Sequence, residues 1–190
     1  MLNLNNENIK LELVKYLFWQ EVFEIWRQNE ADKPGWQETA KNKGYENWEA
    51  WRINYFDVFR CKETSWQLFE IKNPLEAVPE FHGGPFKTWI ERMYQGEFLP
   101  TFDRLAEFEH IQKHPAIRKM ADNFYANTTL TGLIFDKEIY IIEGSHRCCA
   151  LALMAKENRP LDHKIFIALA EYPGEKLPKI VSFDRSQKEA

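Results

Sequence analysis

Glu138-Ile139-Tyr140-Ile141-Ile142-Glu143-Gly144-Ser145-His146-Arg147-Cys148-Cys149-Ala150-Leu151-Ala152-Leu153-Met154-Ala155-Lys156 changes its conformational preference in the middle. The first five residues are dominated by β-branched and aromatic side chains in a run too short for a helix, so they read as a strand. Cys148 to Lys156 is strong helix-forming sequence that runs on to Asn158, and Pro160 stops it. The junction at Gly144 is therefore strand, tight turn, helix. The opening amides of such a helix lack internal acceptors and carry the positive end of its dipole, which favours a phosphate or carboxylate. Gly144 permits positive φ and a close ligand approach. Ser145 suits the cap position. Arg147 offers a planar fork for phosphate oxygens, and His146 donates or accepts according to its charge. A purely structural reading stands beside this one, with His146 bonded to a strand carbonyl and Arg147 paired with Glu143.

Outward from the junction, Thr128–Phe135 reads as a strand joined to 138–142 through Asp136-Lys137 in a hairpin, and Lys164–Ala170 reads as the last strand. Trp66–Ile71 alternates like a strand and ends at Asn73-Pro74. Upstream of it, Leu13, Leu17, Val22, Ile25 and Trp26 predict one amphipathic helix over Asn8–Gln28. A second helix follows Pro34 and runs to Gly44. A third is capped by Asn47, with Trp48, Trp51, Tyr55 and Val58 three or four apart. Rings at that spacing predict a packed core, with a docking stripe for a partner or a base as the other reading. Further helices are expected over Phe86–Gln95, Phe102–Lys113 and His114–Ala126, and a frayed polar end over Arg185–Ala190.

The order strand, Gly-Ser-His-Arg, Ala-rich helix, Pro160, strand resembles the ParB/sulfiredoxin-like superfamily. The resemblance spans residues 64–172 and is carried by Gly144, His146 and Arg147, with Glu143 where members often have an acidic residue. It implies an α+β fold, a small mixed sheet flanked by helices, over 64–190, preceded by an N-terminal helical, Trp-rich segment over 1–63. It also implies nucleotide phosphates on the 143–147 turn, with ATP or CTP and Mg²⁺ as the cofactor and phosphoryl transfer or nucleotide hydrolysis as the chemistry. Two departures matter. Ser145 stands where sulfiredoxins carry a catalytic cysteine, so reduction of a sulfinic acid is not expected. The sequence after Tyr172 is too short for the helix-turn-helix region of partition ParB proteins, so partition function is not expected either.

Composition bounds the remaining classes. The chain has 190 residues, a net charge of −4, 15% aromatics and seven Trp, which fits a folded protein with a ring-rich core and no basic arm for non-specific nucleic-acid binding. A specific DNA-binding role would need a basic recognition helix, and none is visible. Cys61, Cys148 and Cys149 have no C-x-x-C spacing and read as small buried residues in a reducing cytoplasm. Asn3, Asn5, Asn6, Glu7 and Asn8 occupy the place of a secretory signal, and Leu11–Trp26 is too charged to span a membrane.

The candidate residues are then few. Glu143 is either the base or metal-side carboxylate, or a partner for Arg147. Gly83, Gly84 and Lys87 form either a second phosphate-cradling loop or a structural turn. His110 and His114 are spaced for one helical face, but Pro115 interrupts it, and no metal site is expected. The ligand expected is a nucleotide or phosphorylated small molecule. The alternative is a non-catalytic module with a vestigial anion site, whose aromatic N-terminal segment binds a protein partner or makes a homo-oligomer.

Overall fold

The computed structural model describes residues 4, 6–31, 33–124, 126 and 128–179, so the Arg185–Ala190 tail, together with Asn3 and Asn5, lies outside the described residues. Among the described residues six strands form one sheet: β1 (Leu11–Leu17), β2 (Trp66–Ile71), β3 (His82–Gly83), β4 (Thr128–Phe135), β5 (Glu138–Glu143) and β6 (Ile165–Glu171), in the order β1-β2-β6-β4-β5-β3. The sheet is mixed. The β1/β2, β2/β6 and β4/β5 pairs are antiparallel, and β4/β6 and β3/β5 are parallel. The β4–β5 turn forms where expected, with Asp136 at φ 50° and Lys137 at φ 66°, both left-handed as a two-residue hairpin loop requires.

Period-two alternation sends side chains to two cores. Ile165, Ile167 and Leu169 of β6, with Ile139 and Ile141 of β5, face helix α9 (Ser145–Lys156) and the shorter helices α4 (Pro74–Ala77), α6 (Phe102–Ala106), α7 (Glu109–Gln112) and α8 (Pro115–Asp122). Ala168 and Ala170 face the other way, with Leu133 and Ile142, under α1 (Trp19–Glu30), α2 (Trp36–Asn42) and α3 (Trp48–Val58). Small alanines there leave room for Trp26, Trp48, Trp51, Phe56 and Phe59, so the aromatic stripe is core. Asn47 caps α3 as expected, its side chain accepting from Ala50 N at 2.8 Å. Helix α9 is buried from Arg147 to Met154 because it is sandwiched between sheet and helices, which is why its sequence is apolar all round. Cys61, Cys148 and Cys149 are buried and free, as read from their spacing.

The single helix expected over Asn8–Gln28 is corrected. Leu11–Leu17 is an edge strand, paired from Leu11↔Ile71 to Leu17↔Trp66 with a bulge at Val14, and the helix begins only at Trp19. The Leu13/Leu17 spacing mimicked a helical face, but the exposed edge of β2 offered a hydrogen-bonding ladder that local periodicity does not reveal. Glu21 closes the switch by accepting from the Phe18 amide at 2.9 Å. The Phe102–Lys113 helix is likewise two pieces, α6 and α7, and α8 ends at Asp122 rather than Ala126. No described helix is long and apolar enough to cross a membrane.

Candidate functional site

Gly144 sits at φ +105°, between the end of β5 and the start of α9. A Cβ there would lie 2.7 Å from Leu130 Cδ2 and 3.0 Å from Arg147 Nη2, so both the backbone angle and the packing require glycine. Gly144 itself takes the cap position and Ser145 is the first helical residue, which corrects the expected serine cap. The Ser145 hydroxyl makes no hydrogen bond among the described residues. The first α9 amide to find an internal acceptor is that of Cys148, which donates to Gly144 O at 3.0 Å. The amides of Ser145, His146 and Arg147 are thus the open end of a twelve-residue helix.

Arg147 is not free. Its Nη2 donates to Glu143 and its Nη1 to Thr129 O at 3.0 Å, and the two ionic side chains are only 7% and 5% exposed. Asn29 donates to the same Glu143 carboxylate at 3.0 Å and to Thr129 O at 3.2 Å, tying the end of α1 to the turn. Of the two readings left open for Glu143, the ion pair is the one realised. A second pair lies beside it. Glu30 accepts from Arg52 Nε and Nη2, each at 2.7 Å, and from Trp48 Nε1 at 3.0 Å. Burial pushes the Glu30 carboxyl up and the nearby Glu143 charge adds to it, while Arg52 opposes.

In front of these pairs opens a cavity of about 650 Å³. The turn residues Glu143 to Arg147 line it, so four of the expected phosphate-binding positions and the candidate carboxylate are brought together. The other side comes from the N-terminal segment: Lys33, Lys43 and Arg52, with the rings of Trp36, Trp51 and Tyr55. A short helix, α5 (Lys87–Arg92), supplies Lys87, Trp89 and Arg92. Six basic side chains therefore face two carboxylates, both of which are already neutralised by arginines. Arg92 is exposed and makes no ion pair among the described residues.

His146 turns away from a role as a cationic ligand. Burial holds its imidazole down to about 4, with His114 and Arg147 adding to the effect, so it is neutral at pH 7. Its ring meets Trp89 at 5.0 Å, edge to face, and His114 at 5.3 Å. Gly83 and Gly84 lie outside the cavity. A Cβ on Gly83 would sit 2.1 Å from Tyr94 Oη and one on Gly84 2.4 Å from Ile141 O, and the Gly83 amide already donates to Pro100 O. These glycines serve close packing, and only Lys87 of that loop reaches the site.

Sequence reading missed Arg52, Lys33, Lys43, Trp89 and Arg92. The available signal was a charged residue set within the Trp48/Trp51/Tyr55 stripe, since an arginine there must be partnered or stacked. The ring wall and cations fit a nucleotide. They do not fit a protein-held Mg²⁺, because among the described residues both carboxylates of the cavity are tied to arginines and no group of three His, Cys, Asp or Glu is disposed for a metal. Comparison with protein-family models, curated proteins and solved structures returned no match.

Proposed function

We propose that the chain binds a nucleotide or another phosphorylated, ring-bearing small molecule in the cavity before Gly144. The observation that carries this is the cavity itself: about 650 Å³, within the range of small-molecule sites, with cations in excess and a wall of aromatic rings around the open end of α9. The resemblance to the ParB/sulfiredoxin-like superfamily supports the same ligand class. Binding is favoured over phosphoryl transfer, since a base or metal-side carboxylate must be free to take a proton or an ion, and Glu143 and Glu30 are each held by an arginine. The test is a thermal-shift series with ATP, CTP and GTP, each with and without Mg²⁺, and with simple phosphate esters. A ligand at a hundredfold its Kd stabilises by about 2.7 kcal/mol. The shift should shrink in Lys87→Ala/Arg92→Ala, and the absence of any response to every phosphate compound would refute the reading.

A second reading, a protein-interaction role with a vestigial anion site, draws on a different surface from the one expected. Trp26, Trp48 and Trp51 are core, whereas Tyr16 and Phe18, at 68% and 78% exposure, stand out beside the outer edge of β1. Concentration-dependent self-association abolished by Phe18→Ser, with no response to phosphates, would favour it.

A further inference from the structure

The strand at the sheet's outer edge carries a self-complementary sequence. β1 is last in the strand order, so one side of its backbone pairs with no strand among the described residues. Leu13, Val14 and Tyr16 are 45%, 50% and 68% exposed on it. Such an edge is a template for further pairing unless charge or a bulge restricts it. β1 has both, since Glu12 and Lys15 are exposed and the bulge falls at Val14. The bulge decides which side chains share a face. Opposite β2, Glu12 pairs with Glu70, Lys15 with Leu68 and Leu17 with Trp66, whereas Leu11 pairs with Ile71, Leu13 with Phe69 and Tyr16 with Gln67. Alternation along β2 puts each trio on one face. Glu12 and Lys15 therefore lie on the same side of the sheet, which three steps along a regular strand would not allow.

Antiparallel pairing of β1 with β1 of a second copy about a two-fold axis has one register in which every position is answered. Leu11 then stands opposite Tyr16, Glu12 opposite Lys15 and Leu13 opposite Val14, each pairing occurring twice. Residues of one face meet residues of the same face, opposite charges meet, and the two bulges lie at the axis. Sliding by one residue sets Glu12 against Tyr16 or Val14 and Lys15 against Leu13 or Leu11, with neither charge answered. The charges that forbid other registers thus select this one. We infer that the chain forms a homodimer through β1, the sheet continuing antiparallel across the two-fold axis in the Glu12–Lys15 register. The ion pairs that these residues make within the chain do not oppose it. Lys15–Glu21 and Glu12–Lys72, both at 2.9 Å, join side chains that are 42–66% exposed, and pairs so exposed hold their members weakly, leaving each able to turn to a partner across the axis. No residue of β1 lines the cavity, so the dimer stands independently of phosphate binding.

Sedimentation equilibrium of the full chain tests it. A single strand pair buries a small area, so a weak dimer is expected, formed over micromolar to near-millimolar concentrations. Lys15→Glu sets Glu opposite Glu and Glu12→Lys sets Lys opposite Lys, twice in each dimer, so either variant alone should weaken self-association about tenfold or more. Mixed in equal amounts, the two variants answer each other's charges and should associate within about threefold of wild type, or tighter. Both sites are exposed, and far-UV circular dichroism checks that each variant folds. A wild type that stays monomeric throughout the range overturns the inference. So does a dimer that neither variant weakens, or a pair of weakened variants that mixing does not rescue. None of these outcomes bears on the cavity, which the phosphate series tests by itself.

Discussion

Arg147→Met removes the guanidinium from the pair that anchors the β5–α9 turn. Glu143 is then left 5% exposed with Asn29 as its remaining hydrogen-bond donor among the described residues, and Thr129 O loses the Arg147 bond of 3.0 Å while keeping that from Asn29. At that burial solvent does little to screen the stranded charge, and breaking such a pair costs about 3–5 kcal/mol. In a domain of this size each kcal/mol lowers the melting temperature by about 2–4 °C, so a fall of about 6–20 °C is expected. The second arm of the experiment is Arg147→Met/Glu143→Gln, in which the amide still accepts from Asn29 and no charge is left buried. Its cost should fall short of the sum of the single variants by about 1–3 kcal/mol. Lys113→Met is the control, since the Lys113–Glu109 pair is 75% and 76% exposed, and its effect should stay within about 0.5 kcal/mol. Urea unfolding followed by far-UV circular dichroism measures all four. A cost below about 1 kcal/mol for Arg147→Met would refute the reasoning, because it would mean that the fork is not what holds the turn and that its donors are available to a ligand.

His146 gives a pH signature. Its folded-state value is held at about 4 against an ordinary 6.5, so the unfolded chain binds the extra proton between those values and stability falls as pH drops from 6.5 towards 4. Because Glu30, pushed upward, works in the opposite direction over acid pH, the measurement is the difference between wild type and His146→Gln, which should shrink by about 2–3 kcal/mol across that window and would show no slope if the ring were solvated. Gly144→Ala forces a side chain onto φ +105° and into Leu130 Cδ2, for an expected loss of about 2–4 kcal/mol in urea unfolding. Gly83→Ala places its methyl carbon against the Tyr94 ring and should destabilise by about 1–3 kcal/mol while leaving phosphate affinity unchanged, whereas a phosphate-cradling loop would lose affinity.

The β5–α9 turn that lines one side of the cavity was legible because it is local. A strand, a glycine and a helix lie within nineteen consecutive residues, Glu138 to Lys156, and each step announces itself by propensity. The hairpin at Asp136-Lys137 and the cap at Asn47 were legible for the same reason. The β1 strand was not, since Leu11–Leu17 takes its conformation from pairing with β2, from Leu17↔Trp66 to Leu11↔Ile71, far along the chain, and its own pattern satisfies a helix equally well. The ring end of the cavity failed in the same way. Nothing near Arg52 in sequence says that α3 will pack into the same core as Leu133 and Ile142, so that its arginine shares a cavity with Gly144.

That difference bears on what a motif can mean. The residues that drew attention to the turn are the ones most consumed by it: Gly144 by a backbone angle, Arg147 by Glu143 and Thr129, His146 by burial against Trp89 and His114. What they leave open is backbone: the amides of Ser145, His146 and Arg147 find no acceptor within the helix, and these residues line the cavity. On the proposed reading, side-chain recognition falls instead to Lys87 and Arg92 on α5, which line the same cavity from another element and pair with nothing in the turn. The fold therefore constrains the 143–147 segment tightly and the outer cations Lys87 and Arg92 loosely, so on the proposed reading ligand choice can change by substitution at the rim without disturbing the buried pairs beneath. Exchanging Lys87 or Arg92 should alter affinity and spare stability, and exchanging Arg147 should do the reverse.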